Sequence, residues 1–176
     1  MPLSKINTLA LADNAVVTAD IANGAITSAK LASGVGGKVL QVVTSVFSST
    51  ASTTSTSYVT TGHSLSITPS STSNKIYLNL SGGSSWNNND VNYNRYFTIY
   101  RNSTNLSTDG NGFENFYANT LFAGSHSISY LDSPNTTSAT TYTIYYKVQA
   151  GTSWYTHLTS GGNGVNVVLT AFEIAG

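Results

Sequence analysis

Three histidines and seven acidic residues are all that this 176-residue, cysteine-free chain offers for acid–base or metal chemistry. His63 falls in a TTGHS turn, His126 opens a strand and His157 lies within WYTHL. None stands at a spacing that ligates zinc, such as HExxH. Polysaccharide cleavage needs two carboxylates facing each other across a sugar, and Asp90, Asp109, Glu114, Asp132 and Glu173 qualify only by elimination. The run TDGNGFEN sets Asp109, Asn111 and Glu114 among glycines, as a calcium loop would. It lacks the spacing and flanking helices of an EF-hand, so a hairpin turn accounts for it better. Asn-x-Ser/Thr sequons at Asn79, Asn102, Asn105 and Asn135 are what so Asn- and Thr-rich a chain produces by chance. The expectation is a protein without catalytic residues, metal or cofactor, and not an enzyme.

Aromatic residues in polar surroundings carry more information. Trp86 in SGGSSWNNND, with Tyr93 behind it, and the Trp154–Tyr155 pair after a Gly-Thr-Ser turn would offer flat faces to sugar rings. Asn87, Asn88, Asn89 and Asp90 would bond sugar hydroxyls. A candidate glycan site therefore comprises Trp86, Asn88, Asp90, Tyr93, Trp154 and Tyr155. The competing reading is that these tryptophans plug the ends of a β-sandwich or a seam between subunits.

What must position such residues is an uncharged chain. Net charge is zero and 8% of residues are charged, which removes the electrostatic footprint of a nucleic-acid binder. Ser, Thr and Asn make up roughly two-fifths of the residues, far above ordinary usage. The N-terminus lacks the basic start and unbroken apolar stretch of a signal peptide, and no segment approaches the ~20 apolar residues of a membrane span. These features predict a soluble protein assembled in a cytoplasm, with no membrane insertion. Without disulfides, its stability must come from packing or association.

A ten-residue repeat marks the start of the chain. ADNAVVTADI (12–21) is followed by ANGAITSAKL (22–31) and ASGVGGKVL from Ala32. Val16 matches Ile26, Ile21 matches Leu31, Thr18 matches Ser28, and Asn14 matches Gly24 and Gly34. Each unit has one or two aliphatic anchors, a hydroxyl suited to cap a one-turn helix, and a Gly or Asn to turn the chain. Every aromatic residue lies at Phe47 or later. The first ~40 residues thus have too little apolar area to offset ~1–2 kcal/mol of backbone entropy per residue. Such an arm, 1–38, is expected to be ordered only against other polypeptides, sister chains or a docking surface on a larger particle, through Val16, Ile21, Ile26 and Leu31; the competing reading is a disordered low-complexity leader.

Beyond Gly37 the pattern is that of strands. Val39–Phe47 is β-branched and apolar, and the run 48–57 reads as a connection or polar edge. Ile76, Leu78 and Leu80 alternate with Lys75, Tyr77 and Asn79, as in a half-buried antiparallel strand. Phe97 with Ile99, and Tyr142 through Val148, repeat the alternation. Further strands are expected at 58–61, 64–68, 116–122, 127–131, 154–158 and 165–174. The clusters SGGSSWNNND, DGNG, DSPNTTS and SGGNG are expected as turns. In Val165–Ile174 both faces are apolar, which suits a central strand or one caught between the core and a neighbouring subunit. The expected fold is all-β: an antiparallel, jelly-roll-like β-sandwich at 39–176 behind an extended, mostly irregular arm at 1–38.

The progression AVVTADIANGAITSAKLASGVGGKVLQVV resembles the N-terminal repeats of phage tail-fibre proteins, where such units precede a GGKVLQVV-like junction. SSTASTTSTSYVTTGHSLSITPSSTSNKIYLNLSG, SISYLDSPNTTSATTYTIYYKVQAG and VVLTAFEIAG are similar to C-terminal β-domains of structural proteins from marine and freshwater phages, cyanophages included. The resemblance implies a homotrimer in the virion, anchored by its arm to tail, portal-proximal or capsid proteins, with the head outward toward host-surface glycans. The chain has no long shaft, which admits a stubby head fibre, a decoration or cement protein, or a tail adaptor. A free carbohydrate-binding module is a further alternative.

Overall fold

The computed structural model describes residues 16–27, 30, 38–87, 93–118, 123–150, 154–156 and 165–176. It divides into two units, 1–38 and 39–176, each taken by itself.

In the first unit the sequence repeat is a repeat of turns. A single turn of 3-10 helix spans Thr18–Asp20. The Asp20 N–H donates to Val17 O at 2.9 Å, and ten residues later the Lys30 N–H donates to Thr27 O at the same distance. Asp20 Oδ2 accepts from the Val17 N–H at 3.0 Å, satisfying a donor that the start of a helical turn leaves open. Between the two turns the Ala25 N–H donates to Ala22 O. The aliphatic anchors are not covered: Val16, Val17 and Ile26 are each more than half exposed, and Ile21 is 41% exposed. Leu31 lies outside the described residues.

In the second unit the described residues form β1 (Val39–Phe47), β2 (Ala51–Thr53), β3 (Val59–Ile67), β4 (Lys75–Asn87), β5 (Tyr93–Arg101), β6 (Thr104–Asn105), β7 (Glu114–Ala118), β8 (Ala123–Asp132), β9 (Thr140–Val148), β10 (Trp154–Thr156) and β11 (Val167–Ile174). They make two antiparallel sheets. The first runs β1-β11-β4, with β8 on the far side of β4; β10 continues the place of β11 along β4, and β2 pairs β10. The second runs β3-β9-β5, with β6 and β7 sharing the outer edge of β5. Ile76, Leu78, Leu80, Val167, Leu169 and Ala171 from the first sheet share one core with Leu65, Ile67, Phe97, Ile99, Tyr142, Ile144, Tyr146 and Val148 from the second. Burying each large aliphatic side chain of this set contributes about 1.5–3 kcal/mol. The fold is thus all-β and sandwich-like, with alternate residues turned inward as the sequence pattern requires.

Two local expectations are corrected. SGGSSWNNND is not a turn from its first residue: β4 continues through it to Asn87. The glycines that suggested a turn instead form a bulge, with Gly82 and Gly83 at φ +84° and +65° and a shift in the β4–β8 register between Gly82 and Ser85. The two strands expected at 58–61 and 64–68 are one strand, β3, with an irregularity between Thr60 and Ser64. Within 48–57, read as a connection or polar edge, β2 lies at the edge of the first sheet beyond β10. β11 is central in its sheet, between β1 and β4, which accounts for its buried inner residues; its outer residues are only half-buried.

Candidate functional site

The bulge that extends β4 also sets the position of Trp86. It stands in the strand, not in a loop, opposite Tyr155 of β10 on one side and Ala123 of β8 on the other. Trp154 stands opposite Asn87. Two aromatic positions 69 residues apart in sequence are thereby brought to adjacent places in one ladder, where opposed Cα atoms lie roughly 4.5–5.5 Å apart. Tyr93 opens β5 opposite Ala118, and the Asn94 next to it is tied to the end of β9. Asn94 Nδ2 and N donate to Gln149 Oε1 at 2.8 and 3.0 Å, and the Gln149 N–H donates to Asn94 O at 2.9 Å. Asn88 and Asp90 lie outside the described residues, as does His157.

The sequence did not reveal a relay immediately inside this end of the unit. Ser85 Oγ lies 2.6 Å from His126 Nε2, and His126 Nδ1 lies 2.5 Å from Glu114 Oε2. Glu114 Oε1 accepts from the Ser127 N–H at 2.9 Å. In the neutral ring, Nδ1–H donates to the carboxylate and Nε2 accepts the serine proton, the order of a nucleophile-activating relay. Ser85, however, is 0% exposed and His126 only 3%. The imidazole is also boxed by Phe97, its ring centroid 4.5 Å away, and by Phe116 at 5.7 Å. The Ser85 hydroxyl is thus enclosed within the sandwich. The relay works as a polar clip, tying β7 of the second sheet to β8 and β4 of the first. Ser85, His126 and Glu114 were invisible as a set because 41 residues separate Ser85 from His126 and only the β4–β8 register aligns them.

Two further clips hold the buried carboxylates Asp132 and Glu173. Asp132 of β8 accepts two bonds from Arg101 Nη1, at 2.8 and 3.0 Å, and one from the Tyr142 hydroxyl at 2.6 Å. Burial, then the bond to Asp132, pushes the Tyr142 phenol well above its usual range. Glu173 of β11 is 1% exposed and accepts from Gln41 Nε2, the Ser70 N–H, Ser70 Oγ and Asn74 Nδ2 at 2.6–2.7 Å. Burial alone would raise its carboxyl; the bonds from Asn74, Gln41 and Ser70 outweigh it and bring the pKa down to about 2. His63 stacks on Phe47 at 4.5 Å, and burial lowers it to about 4. Asp109 closes its own turn by accepting from the Asn111 N–H at 2.8 Å, while Glu114 is turned to His126, so the two do not converge on a cation. Among the described residues no group of three acidic or histidine side chains could hold a metal ion.

The outer faces of the two sheets differ. On the second, Tyr100 stacks on Tyr145 at 3.9 Å, and Lys147 Nζ sits 4.7 Å from the Tyr58 ring centre and 5.0 Å from that of Tyr96. These rings cover one another. The signal for them was the period-2 spacing of Tyr96 with Tyr100 and of Tyr145 with Lys147, which reads only as strand. Among the described residues the outer face of the first sheet has one ring contact, Tyr77 with Phe172 at 6.0 Å, and no such cover over Val39, Leu40, Val42 and Leu131. Set beside known proteins, the chain matches no family model and no curated protein.

Proposed function

We propose that the chain is a structural, non-enzymatic component of a phage virion: a short homotrimeric tail or head fibre held through residues 1–38, with the β-sandwich exposed for contact with host-surface glycans. The observation that carries this reading is the arm. Its ten-residue units form repeated turns, yet Val16, Val17, Ile21 and Ile26 stand 41–54% exposed, as befits anchors meant for other polypeptides. The strand order supports a jelly-roll head. Taking β1, β3, β4, β5, β7, β8, β9 and β11 as eight successive strands, the sheets pair first-eighth-third-sixth and second-seventh-fourth-fifth. Eight strands paired in this order fit the double Greek-key connection of viral capsid and lectin domains. The register that sets Tyr155 opposite Trp86 supports a glycan contact at that end of the head.

The tests separate these parts. A virion component is found by mass spectrometry of purified particles, in tens of copies for a fibre and hundreds for a cement protein. A chain lacking residues 1–37 is expected to be missing from particles; normal incorporation would remove the arm's role. Trp86→Ala and Trp154→Ala are expected to reduce adsorption to host cells, and unchanged adsorption would exclude the aromatic end. A fluorophosphonate is expected to leave Ser85 unlabelled, whereas labelling lost in His126→Ala would turn the reading toward a serine hydrolase.

A further inference from the structure

The outer face of the first sheet carries an apolar band. Register places Val42 of β1 opposite Phe172 of β11, Phe172 opposite Tyr77 of β4, and Tyr77 opposite Leu131 of β8. The four therefore form one row across the whole sheet. Phe172 and Tyr77 pack with ring centres 6.0 Å apart. Val42 and Leu131 at the ends are 53% and 52% exposed, and Val39 and Leu40 extend the band at 52% and 49%. The next row, Thr44, Thr170, Asn79 and Ser129, is polar, so the band has an edge.

We infer that this band is the surface through which copies of the chain associate. Half-exposed, these side chains leave on the order of 500 Å² of apolar surface. That is near the top of what a monomer leaves in one patch, and most of the roughly 800 Å² each partner contributes to a standard interface. Charge favours a second copy over another partner. Among the described residues of β1, β4, β8 and β11, Lys75 is the one charged side chain on this face, its Nζ bonded to Ser133 Oγ at 2.8 Å. Apart from Lys75 the face offers a partner's charges nothing to pair with, so a highly charged partner would lose hydration there, whereas a copy of the same face brings few charges to desolvate. β1 adds a second reason. It is an edge strand of the sheet and, past an irregularity between Val39 and Gln41, keeps regular register to Phe47 without a charge or a proline, two of the devices that normally keep an edge from joining another chain.

The inference deepens the trimeric reading by naming the face on which copies meet, and its test does not depend on particles or adsorption. Light scattering on the full chain is expected to give a multiple of 18.5 kDa. Val42→Glu and Leu131→Glu are each expected to return it to a single-chain mass, raising the apparent dissociation constant about a hundredfold or more. Asn115→Glu, on exposed β7 of the other sheet, is expected to change nothing. A single-chain mass for the unaltered protein, or associated Val42→Glu and Leu131→Glu, overturns the inference. Should either variant fail to fold, Ser129→Cys supplies a second readout, since the chain has no other cysteine. A spin label there is expected to show dipolar broadening that disappears on dilution with unlabelled chain, and no broadening also overturns it. Absence of the chain from particles would sink the virion reading and leave this result standing.

Discussion

Glu173 has the most to lose from a change of one atom. Its two oxygens accept four hydrogen bonds from β1 and from the segment between β3 and β4, so the side chain joins three parts of the chain that are far apart in sequence. Glu173→Gln replaces an acceptor with a donor that faces other donors, at an expected cost of about 1–3 kcal/mol at neutral pH. The pH dependence has a definite sign. The carboxyl falls from 4.5 in its ordinary state to about 2 in the fold, so between those values the unfolded chain binds more protons, and stability is lost as pH falls. Urea midpoints of the two proteins are therefore expected to differ most above pH 4.5 and to converge as pH approaches 2; a difference independent of pH would show that the bonds do not hold a charge. At this scale the sequence was legible for apolar residues and mute for polar ones. Ile76, Leu78 and Leu80 were placed by alternation, because a strand buries every second residue. Glu173 and Arg95 sit at core-facing positions that the same alternation assigns to apolar residues, and only tertiary partners make such burial tolerable.

Strands were legible where apolar and polar residues alternate and illegible where glycine does two jobs. Gly82 and Gly83 suggested a turn by composition, but a positive φ in the midst of a ladder makes a bulge, and flanking β8, β10 and β11 keep β4 going past it. That misreading mattered for the site, because it placed Trp86 in a loop and hid its alignment with Tyr155. Gly62 in β3 has a similar φ, +83°, with open space where a Cβ would go, whereas at Gly82 a Cβ would stand 2.8 Å from the Asn166 carbonyl oxygen. Both positions strain an L-residue by about 1 kcal/mol; only Gly82 adds a collision with backbone. Thermal melts are expected to show Gly62→Ala lowered modestly and Gly82→Ala lowered by clearly more. Equal shifts would mean that β4 and the Asn166 segment separate at little cost.

The whole molecule poses a different question, which is why one chain joins a well-filled sandwich to a segment whose described apolar residues stand largely exposed. The contact units divide at 38/39; in the sequence the ten-residue period runs out near that point, and no aromatic residue precedes Phe47. Which surface of the head is sticky was not visible, because the Val42–Phe172–Tyr77–Leu131 row exists only after four strands from distant parts of the sequence have paired. Among the described residues no member of the core cluster or of its packed fringe precedes Val43, so the head's stability draws on burial within 39–176. Repeated turns such as Val17–Asp20 and Thr27–Lys30 hold two or three residues each and leave their apolar anchors in water, too little to offset the entropy of ordering the segment. In a dissociated chain, with Leu131→Glu used to keep it single, amides of residues 16–30 are expected to exchange at close to the rate of an unstructured peptide. Those of β4, β9 and β11 should be protected up to the global unfolding free energy. Removing residues 1–37 is then expected to leave the melting temperature within a few degrees of the full chain's, since 1 kcal/mol moves a domain of this size by about 2–8 °C. Strong protection of the arm in the single chain would mean that its turns find their own support, and the case for an arm shaped to be gripped by other polypeptides would fail with it.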